Sequence, residues 1–373
     1  MPTIVPLFTL LCTLCAAAPL PRQEPAPRPA PAASGSPSAE ERAWIEKNSR
    51  ALDAAFLAET LRAPSALLIQ IGAGGARPAA LAQECVAAAH AREKALLLCL
   101  PTSVEEGRAL DEFVQSGKGD LGQLLQSDGL APLLPAEHGL LAAARAWNAD
   151  PARKHELRVA GIEYRRTRDD ALALSDFTAR VEPGIAERLA QLLAPFRQLG
   201  PDGRHRYAAC EENWRGAVQQ TLGDLQEQST ERRDEWQKLA GAEGLERGLL
   251  ALARLVQAEA EVSRPREFRR VRALGENALA ARTALRLKAD LVLCVESGPG
   301  LDPRDLHVTL GPDALALLVF GREGEDAERD ALLALRPAGV LDLRGITKEQ
   351  RAGQGLLARL ARRAELVLWD GAR

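Results

Sequence analysis

Residues 66–72 read ALLIQIG, an unbroken apolar run that is followed by glycines and then by a segment of helical spacing. A continuous run of this length is typical of a strand that is buried on both faces of a parallel sheet. The same pattern recurs along the chain, at residues 95–100, 157–162, 291–295, 314–320, 339–343 and 365–369. Strands that alternate with helices predict an α/β fold with a central, mostly parallel sheet flanked by helices.

This alternation stops in the middle of the chain. Apolar residues there recur at helical spacing, as in Val181, Ile185, Leu189 and Leu192. Such stripes are typical of the buried face of a helix. We therefore expect a helical insertion over about residues 170–265 that forms a cap over a cleft, with the cleft at the carboxyl ends of the strands.

The N-terminal segment determines the predicted localisation. Residues 1–18 form an apolar run that ends in small residues, is too short to span a bilayer and is typical of a signal peptide. Cys15 leaves a lipid anchor open as an alternative, and an unstructured apolar N-terminus is the simplest alternative. Residues 19–39 are rich in Pro, Ala and Ser and predict a disordered linker before one domain at residues 40–373. We expect a protein that is secreted or held in the periplasm or cell envelope, with membrane contact only through the signal segment or an anchor.

Composition argues against several classes of function. The net charge is −3, so the chain lacks the excess of positive charge that is typical of proteins that bind nucleic acid. The five histidines and the four cysteines that follow the apolar N-terminal segment show neither metal-ligand spacing nor a C-x-x-C pair, so we expect no metal and no cofactor. The disulfide state of four cysteines stays open: Cys85, Cys99, Cys210 and Cys294.

Two sequence motifs for catalysis or phosphate binding fail in detail. Residues 72–77 read GAGGAR after the first strand, which suggests a loop whose backbone amides could hold a phosphate. Arg77 stands where G-x-G-x-x-G requires its third glycine, and no Lys-Ser or Lys-Thr follows, so we favour an ordinary strand-to-helix turn. No G-x-S-x-G motif supports a serine nucleophile.

Two carboxylates stand at strand ends, where an open sheet presents its functional groups. Glu163 and Glu296 each lie at or just past the carboxyl end of a predicted strand. Such a pair could act as general acid and general base, with His138 or Arg77 polarising a substrate. Solvated acids at strand ends are the simpler interpretation.

Several segments, taken in order, resemble the erythromycin-esterase family. Trp147 and Asn148 followed by LRVAGIE at residues 157–163 are similar to that family's W-x-R-x-Y-N and v-x-f-x-G-f-D segments, with Glu163 at the family's Asp. Residues 270–277 (RVRALGEN) resemble R-D-x-x-M-A-E-N, with Val271 in place of Asp. The resemblance extends over most of residues 40–369. It implies an α/β fold and, for an intact member, hydrolysis of a carboxylic ester or macrolide lactone by a histidine held by carboxylates.

The departures from this family fall where its chemistry is expected. Ala73 and Ala76 stand at the glutamate and histidine of its first loop, G-E-A-T-H-G, while Glu296 and Pro299 replace two histidines of W-A-H-N-x-H. Alanine and proline cannot accept a proton, so the resemblance implies a catalytically degenerate protein that binds a small hydrophobic ligand or serves as a scaffold. The alternative is a hydrolase with a rearranged acid/base pair. The cleft predicted from this resemblance is lined by Gly72, Ala73, Ala76, Arg77, Asn148, Glu163, Glu276, Glu296 and Pro299.

Overall fold

The computed structural model describes ten stretches of the chain, all within one compact unit. They are residues 37–51, 54–61, 64–71, 76–91, 94–126, 139–197, 202–297, 301–320, 327–336 and 338–370. The predicted signal peptide and the predicted linker up to residue 36 lie outside them. Ser38 caps the first helix through a capping box with Glu41, and that helix begins at Ala39, one residue before the predicted start of the domain.

Eight strands form a single sheet in the described part of the chain. They are β1 (Ser49–Arg50), β2 (Ala66–Ile71), β3 (Leu96–Leu100), β4 (Leu157–Gly161), β5 (Asp290–Glu296), β6 (Ala314–Phe320), β7 (Ala338–Asp342) and β8 (Leu366–Asp370). Their order is β1-β7-β8-β6-β2-β5-β3-β4, parallel from β8 to β4, whereas β7 runs antiparallel to both β8 and β1. The predicted mostly parallel sheet is confirmed, and each predicted apolar run is a strand.

Helices connect these strands and flank the sheet. They are α1 (Ala39–Asn48), α2 (Ala54–Thr60), α3 (Ala76–His90), α4 (Val104–Ser116), α5 (Leu121–Leu125), α6 (Leu140–Ala149), α7 (Thr167–Val181), α8 (Pro183–Leu192), α9 (Asp202–Ala208), α10 (Glu212–Glu231), α11 (Arg233–Ser263), α12 (Arg270–Ala284), α13 (Pro303–Leu310), α14 (Ala327–Leu335), α15 (Lys348–Ala352) and α16 (Leu356–Ala361), with a 3₁₀ turn at Ala194–Arg197. A bilayer crossing needs a long apolar helix, and none of the described helices qualifies.

The sheet is buried on both faces because successive side chains of a strand point to opposite sides. Leu67 and Ile69 of β2 pack on one face, here called the back face, against helices α3, α4 and α6. Ala66 and Leu68 pack on the other, the cap face, against helices α7, α11 and α12. This double burial explains why the strands are continuously apolar in sequence.

Helices α7 to α11 form a cap between β4 and β5. The cap starts at Thr167 and ends at Ser263, close to the predicted insertion. The most extensive contact within the cap is the one between α7 and α11, where a Cβ at Gly248 would lie 2.3 Å from the ring of Phe177. The ring of Phe177 in turn meets Trp236 edge-on at 5.4 Å. The apolar interior of the cap is continuous with the cap face of the sheet.

Candidate functional site

The amino end of α4 crosses the carboxyl end of β4 at very short range. A Cβ at Gly161 would lie 1.8 Å from the carbonyl oxygen of Ser103, and a Cβ at Gly107 would lie 2.0 Å from the amide nitrogen of Gly161. Only glycine allows two backbones to approach this closely. Just beyond the crossing, the amide of Glu163 donates to the carbonyl of Thr102 at 3.0 Å. The crossing therefore fixes the position of Glu163 at the strand end.

Glu163 is buried just past the end of β4 in an ion pair with α12. Its side chain accepts a hydrogen bond from Nη2 of Arg270, on the first turn of α12, at 3.2 Å, and another from the amide nitrogen of Arg165 at 3.2 Å. The residue is 5 % exposed. A buried carboxylate needs such partners because an uncompensated buried charge is very costly. Glu163 therefore joins the end of β4 to α12 through Arg270.

A second guanidinium lies beside this pair without a full set of partners. Arg254 of α11 is 2 % exposed, and its Nη2 donates to the carbonyl oxygen of Gly161. Its Nε and Nη1 have no hydrogen-bond partner among the described residues. Burial lowers the pKa of Arg254, against the opposing effect of nearby Asp170 and Glu163.

Asp170, on the first turn of α7, completes this group, which we call the cap–sheet centre: Glu163, Asp170, Arg254 and Arg270. Asp170 is 2 % exposed, and its Oδ2 has no partner within the described structure. Burial raises the pKa of Asp170 to about 7, although the guanidinium of Arg254 acts in the opposite direction. Asp170 is thus the group of this centre that changes its charge near neutral pH.

The raised pKa of Asp170 predicts that its contribution to stability falls as pH rises. The folded state retains the proton of Asp170 between pH ~4 and ~7, where the unfolded state has lost it, so this contribution is complete below pH ~4 and is lost through pH ~7. The loss is on the order of 4 kcal/mol. Asp170→Asn should remove this pH dependence and be more stable than the wild type at pH 8. Urea unfolding at pH 4.5, 6 and 8 measures the difference.

Asp176→Asn is the matched control, because Asp176 is exposed on the same helix. Its unfolding free energy should follow that of the wild type at every pH. An Asp170→Asn protein that also follows the wild type would contradict the assignment of a buried, protonated carboxyl group.

A surface groove lies next to the cap–sheet centre. Asn277 of α12 donates from Nδ2 to the carbonyl of Ile162 at 3.0 Å and to Oε1 of Gln257 at 2.9 Å. Gln257 forms part of a groove of about 460 Å³ between the end of α11 and the start of α12. Its lining combines the apolar Ala260, Phe268 and Ala273 with the charged Arg272 and Glu276. One hydrogen-bonded layer, Gln257 and Asn277, thus links the groove to the strand end.

The structure separates the residues that the sequence predicted for one cleft. Glu276 lies in this groove, paired with Arg272 at 2.9 Å. Asn148 lies at the amino end of β4 instead, where its side chain donates to the carbonyl of Leu157 at 2.7 Å and accepts from the Leu157 amide at 3.0 Å. Asn148 therefore fixes the start of the strand and is not part of a cleft at the carboxyl ends.

Glu163 and Glu296 do not come together as an acid/base pair. Glu296 ends β5 in the same alternation as Val292 and Cys294, which pack on the back face. Glu163 contacts Arg270 of α12, a helix that packs on the cap face. The sheet thus directs the two carboxylates to opposite sides.

The remaining predicted site residues cannot be placed by their side chains. Gly72, Ala73, His138 and Pro299 lie outside the described residues. Ala76 and Arg77 begin α3, but only the backbone of these two residues is described.

The histidines with described ring contacts lie away from the cap–sheet centre. The ring of His90 stacks on Trp147 at 5.2 Å on the back face. His307 lies 3.1 Å from Glu365, just before the amino end of β8. Within the ten described stretches, no cluster of His, Cys, Asp and Glu side chains could hold a metal ion.

Sequence reasoning missed Asp170 and Arg254. Arg254 interrupts the apolar face formed by Leu252, Leu255 and Ala258 of α11, all of them buried. A charged residue on the apolar face of a helix could have indicated a buried polar site, since such residues are rarely buried without a partner. The partner itself could not be inferred, because Asp170 lies far away in sequence.

The comparisons with known proteins show the fold. No family model matches the chain, and no curated protein matches it in sequence. A Bacillus cereus protein of known structure is similar with a TM-score of 0.61 and 12% identity, covering 88% of this chain and 96% of its own. A mutant erythromycin esterase in its open conformation is similar with a TM-score of 0.59 and 10% identity, covering 85% of this chain and 92% of its own.

A succinoglycan biosynthesis protein is similar as well, with a TM-score of 0.56 and 12% identity over 88% of this chain and 96% of its own. These likenesses span nearly the whole of each neighbour at very low identity. The chain therefore has the α/β fold of the erythromycin esterase structure, a sheet flanked by helices, as the resemblance in sequence implied.

Proposed function

We propose that this protein is a non-catalytic relative of the erythromycin esterases that binds a small ligand next to its helical cap. The ion pair of Glu163 is the main observation in favour. A general base must reach the proton that it removes and must be free to accept it. Glu163 is 5 % exposed and already accepts hydrogen bonds from Arg270 and Arg165. It is suited to hold α12 against the end of β4 rather than to transfer protons.

The sequence supports the same conclusion at the other family positions. Ala73, Ala76 and Pro299 stand where the resemblance implies carboxylate or imidazole side chains. Removing one member of a cooperating catalytic group often abolishes most of its activity. Glu296 could replace only a part of such a group, and its strand directs it away from Glu163.

The groove beside the cap–sheet centre is the proposed place for the ligand. A volume of about 460 Å³ accommodates a small molecule. Phe268 and Ala273 offer apolar contact, while Arg272 and Glu276 at the same groove can bind polar groups. A ligand with an apolar body and a polar end fits this lining.

Export is part of the proposal. The apolar segment at residues 1–18 and the Pro/Ala-rich segment that follows would place the domain outside the cytoplasm. Sequencing the N-terminus of the mature protein from the cells that make it tests this. Recovery of the chain with Met1 intact, in the cytosolic fraction, would contradict it.

Hydrolysis assays test the absence of catalysis. Purified protein should release no acid from a macrolide lactone or from nitrophenyl esters above the uncatalysed rate. Turnover that disappears in Glu163→Gln or Glu296→Gln, without a change in melting temperature, would instead support the hydrolase with a rearranged acid/base pair.

Ligand binding has its own test in a thermal-shift screen of small amphipathic molecules. Phe268→Ala should abolish the shift that a binding molecule produces, because Phe268 lines the groove. Phe113→Ala is the control, since Phe113 packs on the back face of the sheet and should leave the shift unchanged. A screen with no binding molecule, or equal loss in both variants, would favour a scaffold role.

A further inference from the structure

The groove between α11 and α12 presents an aromatic ring to its interior. The groove has a volume of about 460 Å³, and among the described residues that line it Phe268 is the only aromatic one. Phe268 lies in the turn between the two helices, where its amide donates to the carbonyl of Arg264 at 3.0 Å. The residue is only half-buried. Part of its side chain is therefore open to a molecule in the groove.

The ring of Phe268 is held from the protein side by Tyr164. The two ring centroids are 5.3 Å apart and the ring planes are inclined by 59°. This tilted arrangement is one that aromatic pairs favour. Tyr164 itself is fully buried, and the guanidinium of Arg165 lies 5.8 Å from the centroid of its ring. Tyr164 therefore limits the movement of Phe268, so the groove has a preformed aromatic surface.

The other apolar residues of the groove leave room beside this ring. Ala260 and Ala273 line the same groove, and their side chains are single methyl groups. A second ring can approach an aromatic side chain in an offset-stacked or an edge-on arrangement, with the centroids roughly 4.5–7 Å apart. Such a ring gains an interaction with Phe268 that a saturated ring of the same size does not. The lining therefore favours an aromatic molecule over an aliphatic one.

The positive and negative charges at the groove balance each other. Three arginines and three acids lie there, with Asp305 just outside the lining: Arg264, Arg269, Arg272, Glu267, Glu276 and Asp305. Arg272 pairs with Glu276 at 2.9 Å, and Arg269 lies 3.9 Å from Asp305. A ligand with a net charge of either sign therefore meets no excess of the opposite charge.

We propose that the groove binds a flat aromatic molecule without net charge, whose ring packs against Phe268. This rests on the proposed function and names the chemical class of its ligand. Guanidinium groups donate hydrogen bonds and carboxylates accept them, so the charged residues of the lining can bind polar substituents of either kind. The ring determines which molecules bind, and these substituents determine how the ring is oriented.

Calorimetric titration of the whole protein with 2-naphthol and decahydro-2-naphthol tests the preference for an aromatic ring. The two molecules share one carbon skeleton and one hydroxyl group, but only 2-naphthol is aromatic. It should bind saturably and about two- to tenfold more tightly than its saturated analogue. Equal or tighter binding of decahydro-2-naphthol would overturn this inference and leave the groove as a ligand site. No saturable binding of either molecule would overturn both.

Charged analogues of the same ring system test the absence of net charge. At pH 7, 2-naphthoate carries one negative charge and 2-naphthylmethylamine carries one positive charge. Neither ion should bind more than about fivefold more tightly than 2-naphthol, because exposed charges that are already balanced contribute little. Binding of either ion beyond that range would overturn the uncharged character of the ligand.

A pair of matched variants assigns the preference to Phe268. Phe268→Leu keeps an apolar side chain but removes the ring, so 2-naphthol and decahydro-2-naphthol should then bind with equal affinity. Phe113→Leu is the control, because Phe113 packs on the back face of the sheet, and it should keep the wild-type preference. A preference that survives in Phe268→Leu, or that is lost in both variants, would refute the role of this ring. Ester turnover in the hydrolysis assays would refute the absence of catalysis without bearing on these titrations.

Discussion

Gly161→Ala should lower the free energy of unfolding by at least about 3 kcal/mol and can prevent folding altogether. The added Cβ would lie 1.8 Å from the carbonyl oxygen of Ser103 and 2.7 Å from that of Thr102. Both are backbone atoms, so no side-chain rotation relieves the overlap, and β4 must move away from α4. That movement would stretch the hydrogen bond from the amide of Glu163 to Thr102. Urea unfolding followed by circular dichroism measures the loss.

Gly223→Ala is the matched control for this substitution. Gly223 is exposed in the middle of α10, and a Cβ there would meet nothing within 4 Å. Alanine is the better helix former, so this variant should gain about 0.5–1 kcal/mol. If Gly161→Ala is as stable as Gly223→Ala, α4 and β4 do not approach each other as closely as described here.

The sheet could be predicted from the sequence because its strands are buried on both faces. Neighbouring residues such as Leu67 and Leu68 face opposite layers of helices, so both must be apolar. The strand therefore appears in the sequence as an unbroken apolar run, which is easy to recognise. Strand β1 has only Ser49 and Arg50 and pairs with β7. Two polar residues show no pattern of their own, and their pairing is decided by tertiary contacts.

The candidate site was predictable only where it follows directly from a strand. Glu163 comes two residues after β4, so its place at the carboxyl end is a consequence of chain direction. Asn148 precedes β4 by nine residues, and the sequence does not show that α6 ends beside the start of this strand. The polar groups of the cap–sheet centre come from the segment just after β4 and from α7, α11 and α12, which pack together only in the folded chain.

The cap–sheet centre stabilises the fold where α12 meets the end of β4. The carboxylate of Glu163 and the guanidinium of Arg270 compensate each other, and Asn277 ties the same helix to the carbonyl of Ile162. These contacts hold α12 against the end of β4 and do not depend on any reaction. The close approach of Gly107 and Gly161 fixes where Glu163 lies relative to α4.

Arg270→Met should destabilise the protein by about 3–5 kcal/mol, because it removes the cation that is hydrogen-bonded to the buried carboxylate of Glu163. The two side chains are 11% and 7% exposed, so water cannot replace the lost partner well. Adding Glu163→Gln to Arg270→Met should recover most of the loss, since the double variant has no buried charge at this pair. Unfolding of all three variants in urea gives the coupling free energy between the two residues.

Arg272→Met provides the comparison on the same helix. Arg272 pairs with Glu276 at 2.9 Å, but the two side chains are 61% and 47% exposed. An exposed pair of this spacing contributes only about 0.3–0.5 kcal/mol, because water solvates either charge when the partner is removed. Equal effects of Arg270→Met and Arg272→Met would mean that Glu163 is accessible to water. Glu163 would then be free to accept a proton, and the case against catalysis would lose its main support.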